Sequence, residues 1–223
     1  MNNRKIRLAV LASGSGTNLQ SIIDQTLAGT LDAEIVLVLS NNPDAGALER
    51  AERAGIKNLC INHRDFPERE EFDRAVVAAL QAEQTELVVL AGFMRIISDP
   101  FLKAFPQRII NIHPSLLPAF PGLHVQQKAL DYGARFSGCT VHFVDGGVDT
   151  GPIIVQAIVP IFDADDADTL AARILQQEHK IYPQAIQWIA EGRVEVNTRR
   201  VVVKDAGCQE AFLINPPPAN DLR

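Results

Sequence analysis

Three short stretches of this chain carry residues whose types and spacing could do chemistry. The first is Asn111-Ile112-His113-Pro114-Ser115-Leu116-Leu117-Pro118. In a strand, residues i and i+2 point to the same side. Asn111 and His113 therefore share one face, while Ile110 and Ile112 turn to the core. Pro114 biases His113 toward an extended backbone and ends the strand there. An amide donor beside a titratable imidazole can stabilise a developing oxyanion and move a proton. A solitary histidine is more often structural, so the shared face at a strand terminus is what sets this one apart. The second stretch runs from His142 to Pro152, with Asp149 ahead of Thr-Gly-Pro. A carboxylate beside His113 would hold the ring and favour its cation. The same Asp fits equally as a turn residue, and spacing alone does not bring it to His113.

The third stretch is Ser13-Gly14-Ser15-Gly16-Thr17-Asn18. Its glycines let backbone approach a ligand, and the following helix offers free N–H groups and a positive dipole end to phosphate. A dinucleotide fingerprint fails, because Leu19 stands where a third Gly is needed and Ser40-Asn41-Asn42 where an acid is needed. A P-loop fails for want of Gly-Lys-Ser/Thr. A phosphate monoester is the better-fitting ligand; a tight βα turn with no ligand is the competing account. No Ser sits in a Gly-x-Ser-x-Gly elbow. Strand alternation puts Cys139 and His142 on opposite faces, against a thiol nucleophile. His63, His113, His124, His142 and His179 show no zinc spacing, so no metal is expected. Arg69 and Arg95 could bind carboxylates, although most arginines are simply solvated.

The elements that must position these residues follow from periodicity. Ile6–Ala12, Glu34–Ser40, Lys57–Ile61, Leu87–Ala91 and Arg108–His113 read as strands. Between them, Thr17–Ala28, Asp44–Ala54 and Pro67–Leu80 read as helices, the first opened by a Thr17/Gln20 capping box and the last with Pro67 in its first turn. Such alternation means βαβ units and a Rossmann-like, mostly parallel α/β sheet with helices on both faces. The C-terminal half adds mixed strands at Thr140–Val144, Pro152–Val159, Val194 and Val201–Val203. A helix follows the acidic Asp163–Asp168, kinked or restarted at Pro183 and ending near Gly192. One domain over 1–223 is expected, with a loose tail from about 206 that includes Pro216–Pro218.

Composition narrows the class. The 223 residues are 47% hydrophobic and 22% charged, ordinary globular usage. The longest apolar run, near Leu87–Met94, is far below the ~20 residues of a membrane span. The polar, basic Met1–Arg7 does not resemble a signal peptide. A net charge of −6 argues against a nucleic-acid partner. Cys60, Cys139 and Cys208 are scattered and fit reduced thiols in a cytoplasmic protein.

Together the motifs resemble the phosphoribosylglycinamide formyltransferases, folate-dependent enzymes of purine synthesis. The resemblance lies in Ala12–Ser21, Ala91–Ser98, Asn111–Leu123 and Ser137–Ile154, with Gln177–Pro183 in support. It implies the formyltransferase fold and 10-formyltetrahydrofolate as formyl donor. Only small-molecule substrates are implied, with no membrane or nucleic acid, in a monomer or homodimer. Asn111, His113 and Asp149 would be catalytic. Gly14, Ser15, Gly16, Thr17 and Asn18, with Gln177 and Glu178, would bind the ribonucleotide. Met94, Arg95, Ile96 and Ile97, with Asp145, Gly146, Gly147, Val148, Asn111 and Asp149, would bind folate, and Arg69 would lie near its acidic tail. Residues up to about 100 would form the ribonucleotide half and about 101–205 the folate and catalytic half. Thr140 departs from a Ser common in the family but keeps the hydroxyl. The chain's length disfavours the related methionyl-tRNA enzymes, which carry a further domain. The runner-up readings are a 10-formyltetrahydrofolate hydrolase and a silent folate- or phosphate-binding module. With no ligand cluster of zinc spacing, dialysis against a chelator is expected to leave formyl transfer unchanged. Activity lost on dialysis and restored by one metal ion would overturn that expectation.

Overall fold

A computed structural model of the chain describes residues 4–207. Most of the tail expected to be loose, and Cys208, lie outside the described residues. The elements are β1 (Ile6–Leu11), α1 (Thr17–Leu27), β2 (Ala33–Ser40), α2 (Gly46–Arg53), β3 (Asn58–Cys60), α3 (Arg69–Ala82), β4 (Leu87–Leu90), α4 (Asp99–Ala104), β5 (Ile109–His113), α5 (Val125–Tyr132), β6 (Phe136–Phe143), β7 (Ile153–Pro160), α6 (Ala167–Ala190), β8 (Val194–Asn197) and β9 (Arg200–Val203). A 3-10 turn at His63–Asp65 leads into α3. The strands form one sheet in the order β3-β2-β1-β4-β5-β6-β7-β9-β8. Pairing is parallel from β3 through β5, antiparallel at β5–β6, β6–β7 and β8–β9, and parallel at β7–β9. No helix among the described residues is long and apolar enough to cross a membrane.

Alternation along β1 shows how both faces are buried. Leu8 and Val10 pack with Leu19, Ile22 and Ile23 of α1 and with Tyr182, Ala185 and Ile186 of α6. Ala9 and Leu11 face the other way, onto Phe72, Val76 and Leu80 of α3 and Phe101 of α4. The chain leaves β1 toward β2 and β3, then returns to β4 on the other side of β1. That reversal opens a crevice at the carboxyl ends of β1 and β4, where ligands bind in open α/β sheets.

Local expectations fail where packing overrides them. The Thr17/Gln20 capping box does not form: Gly16, left-handed at φ 73°, caps α1 without a side-chain bond, and Gln20 donates to Asp24 instead. Pro67 precedes α3, which is capped by Glu68. The 24-residue α6 runs through Pro183 as one helix. An interior Pro costs about 3 kcal/mol. The buried stripe from Leu170 and Ile174 to Tyr182, Ile186 and Ile189 offsets it. The Tyr182 hydroxyl also donates to the carbonyls of Leu90 (2.8 Å) and Ile110 (3.2 Å), fastening the helix to β4 and β5. The acidic entry works as expected, with Asp166 and Thr169 closing a reciprocal cap.

Gly151 shows why the Asp-Thr-Gly-Pro turn needs its glycine. A Cβ there would overlap the Phe143 carbonyl oxygen and press on its carbon, both backbone atoms of β6. At Gly146 a Cβ would meet nothing within 4 Å. Gly151→Ala is therefore expected to lower stability by about 1–3 kcal/mol, the usual cost of overpacking. Gly146→Ala should stay within about 0.5 kcal/mol of the parent, as surface changes do. Urea midpoints at constant m-value check both; a neutral Gly151→Ala would refute the steric account.

Candidate active site

The crevice is a cleft of about 600 Å³, lined among others by Asn18, Met94, Asn111, His113, Asp149 and Glu178. Its floor is the antiparallel pair β5–β6, whose register sets Asn111 opposite His142 and His113 opposite Thr140. Directly opposed residues share a face. The expected Asn111/His113 face thus gains two residues that sequence reasoning did not assign. The signal for them was the same period of two, Thr140 then His142, along β6. What was missing was the register that lays β6 beside β5.

Asp149 reaches this face from its loop with a positive φ of 54°, a conformation Asp tolerates better than most residues. Its Oδ2 accepts from the Gly122 N–H at 2.9 Å and lies 3.3 Å from His113 Nδ1. His113 Nε2 donates to the Phe120 carbonyl at 3.0 Å. Both ring nitrogens of His113 thus face acceptors, the pattern that matches the two donors of an imidazolium. His142 is arranged in the opposite sense. Its Nδ1 lies 2.8 Å from the Phe143 carbonyl, which can only accept, so Nδ1 carries the hydrogen. Burial pushes the His142 imidazole below its ordinary pKa, against the opposing pull of that carbonyl and of Asp149. Neutral His142 then accepts at Nε2 from Asn111 Nδ2, 3.3 Å away. That fixes which end of the Asn111 amide is the donor and leaves a second N–H to give.

The Thr140 hydroxyl is engaged as both donor and acceptor. It donates to the Ser115 carbonyl at 2.7 Å and accepts from Leu117 N–H and Gln156 Nε2. Ser115 in turn donates to the Ala119 carbonyl at 2.6 Å. These bonds hold the turn whose Phe120 carbonyl meets His113.

At the entrance to α1, the loop approaches α2 closely. A Cβ on Gly16 would sit 2.8 Å from Ala47 Cα, so the fold needs this glycine whatever the ligand. The ligand reading rests instead on the amides. No hydrogen bond among the described residues takes the N–H of Gly14, Ser15, Gly16, Thr17 or Asn18. Arg50 braces the outer side of the loop, donating to the Ser15 carbonyl at 2.7 Å. Asn18 turns into the cleft and donates from Nδ2 to Glu178 Oε2 at 2.8 Å. Its own Oδ1 is buried without a partner. Burial pushes the Glu178 carboxyl up in pKa, and the Asn18 bond partly opposes this.

The other wall is the segment Phe93–Ile97, where the N–H groups of Arg95, Ile96 and Ile97 are likewise without partners among the described residues. Asp145, Gly147 and Val148 line the same cleft. Asp145 shapes their loop by accepting from Gly147 N–H at 3.1 Å and Thr150 Oγ1 at 2.5 Å. Of the expected site residues, Gly14, Ser15, Gly16, Thr17, Gln177 and Gly146 do not line the cleft. Arg69 lies apart, in a depression with Glu68, Glu70, Glu71 and Arg74. Gly122, Leu123 and His124 line the cleft and were not anticipated.

Residues 6–186 match the family model described as formyl transferase. Phosphoribosylglycinamide formyltransferase of Escherichia coli is 44% identical over 192 residues, covering 86% of this chain and 91% of that protein. The trifunctional purine biosynthetic protein adenosine-3 of Drosophila melanogaster is 51% identical over 194 residues. That match takes 86% of this chain, which spans only 14% of the trifunctional protein's length. Glycinamide ribonucleotide transformylase 1 from Symbiobacterium toebii has the same fold, with a TM-score of 0.89 at 51% identity over 91% of this chain and 95% of that one. With the matching motifs converging on one cleft, the chain belongs to the formyl transferase family and, within it, to the phosphoribosylglycinamide formyltransferases.

Proposed function

We infer that the chain moves the formyl group of 10-formyltetrahydrofolate onto the amine of 5-phosphoribosylglycinamide, a cytoplasmic step of purine synthesis. The observation that carries the reading is the meeting of Asn111, His113 and Asp149 in the cleft, whose lining also includes the unpaired amide segment Arg95–Ile97 and Asn18 at the end of the Gly14–Asn18 loop. The amides of Gly14–Asn18, at a helix N-terminus, suit the phosphate of the acceptor. Glu178, beside Asn18, suits its sugar or glycinamide portion, with Gln177 adjacent. The unpaired amides of Arg95–Ile97 and the Asp145–Asp149 loop suit the polar edge of the pterin in a mostly apolar cleft. Arg69 stands outside that cleft, where it would meet only the donor's acidic tail. The residues proposed for the ribonucleotide come from both halves of the chain, since Asn18 and Glu178 are bonded to each other.

The amine attacks the formyl carbon, and the carbonyl electron pair moves onto oxygen. The free N–H of Asn111 meets that oxyanion, while His142 holds the amide in the donating sense. His113 exchanges its Phe120 carbonyl for the reacting atoms and supplies a proton to N10 as the C–N10 bond breaks. Asp149 holds the His113 ring and, through water, helps remove the proton from the attacking amine. A hydrolase would use the same face but would leave the Gly14–Asn18 amides without a purpose.

His113→Ala and Asp149→Asn are each expected to lower kcat by about 10²–10⁴-fold, the usual worth of a positioned acid–base group. Thermal melts should show both folded; a folded variant with near-parental kcat would remove its residue from the mechanism. A dephosphorylated glycinamide riboside is expected to be a much poorer acceptor than the ribonucleotide, because remote phosphate binding orients the amine. Formyl loss from the donor, followed with each acceptor and with none, checks this. Equal rates with both acceptors would mean the loop is only a turn. Fast loss with no acceptor would favour the hydrolase.

A further inference from the structure

Ser13 precedes the free amides of the acceptor loop, and Met94 precedes those of the donor segment. A single hydroxyl joins the two. Met94 N–H can only donate, so at 2.7 Å it is Ser13 Oγ that accepts. The hydroxyl's own proton then goes to Asn41 Oδ1, 2.6 Å away. The Ser13 N–H donates to the Gly92 carbonyl at 3.0 Å, which makes a second tie to the same segment. Asn41 follows β2 directly, is 5% exposed, and places its Nδ2 3.2 Å from His63 Nδ1. It touches neither set of free amides. At the far end of the donor segment, Ser98 N–H donates to the Asp73 carboxylate at 2.7 Å, with Asp73 1% exposed. The segment is thus staked at both ends and unbonded between.

We propose that Ser13, held by Asn41, is a positioning residue that sets the distance between the acceptor loop and the donor-binding segment. The proposal rests on the functional reading above for the identity of the two substrates. Ser13 touches no reacting atom; it acts by fixing where the Arg95–Ile97 amides stand relative to Gly14–Asn18. Without the hydroxyl, the Met94 amide has no partner among the described residues and the segment keeps only its Gly92 tie at this end, with more room to shift. The two substrates must meet at bonding distance, where a misplacement of about 1 Å can cost on the order of 10²-fold in rate.

Ser13→Ala is expected to raise the dissociation constant for tetrahydrofolate about 5-fold, the worth of one net hydrogen bond. It should lower kcat further while changing KM for the ribonucleotide less than about 2-fold, a split that simple loss of stability would not give. Asn41→Leu should reproduce the effect at a distance. Asn41→Asp, which still accepts from the Ser13 hydroxyl, should restore it. Ser13→Ala and Asn41→Leu together should be no worse than either alone, because each breaks the same strut. Unchanged tetrahydrofolate binding and kcat in Ser13→Ala, or full additivity of the pair, would overturn the proposal. The folate titration reads the strut even if the parent enzyme fails to use the ribonucleotide. Failure of the functional reading is thus distinguishable from failure of this one.

Discussion

The antiparallel pairing of β5 with β6 is the constraint on which the site depends. Every strand before it in the sheet runs parallel, whereas β6, reached through α5, runs back against β5. The reversal instead lays β6 alongside β5 so that His142 stands at Asn111 and Thr140 at His113. Two residues of β5 thereby become a four-residue polar face. Thr140 locks the turn beneath His113, and His142 sets the sense of the Asn111 amide. The same reversal lets β7 follow directly, and the loop between β6 and β7 carries Asp149 back to His113.

Opposite electrostatic solutions sit within a few ångströms on this face. His113 lies between two acceptors, a carbonyl and a carboxylate. His142 has a carbonyl on one nitrogen and an amide donor on the other. The first pattern suits an imidazolium and the second a neutral ring. Asp149 lies 3.3 Å from one ring and 3.7 Å from the other, so a protonated His142 would compete for it. Burial, by keeping His142 neutral, reserves the carboxylate for His113.

Near this face, runs of backbone amides lack partners among the described residues. Two groups of them lie near it, one at the entrance to α1, of which only Asn18 lines the crevice, and one after β4. Backbone donors need no rotamer to be frozen, but their positions are only as good as the anchors of the loops that carry them. Those anchors are single side chains: Ser13 and Asp73 for the segment after β4, Arg50 for the loop before α1. Steric necessity adds the glycines, since Gly16 and Gly151 lie where a Cβ would strike neighbouring backbone.

Much of what depends on near neighbours in the chain was legible in the sequence by itself, the Thr17/Gln20 cap excepted. Period-two alternation put Asn111 and His113 on one face, and helical spacing marked α1 to α3 and α6. The glycines after β1 marked a loop able to approach a ligand, and the assembled motifs indicated the formyltransferase family. Tertiary structure alone decided what depends on distant segments. Asn18 meets Glu178 across 160 residues of sequence, and Asp149 meets His113 through a loop whose spacing fitted a plain turn equally well. The long helix α6 passes Pro183 without ending, its buried stripe packed in the core against strand residues. In each case the deciding energy is packing or hydrogen bonding between segments that local periodicity does not relate. A residue's neighbours along the chain set its face, but only the register between strands sets what that face meets.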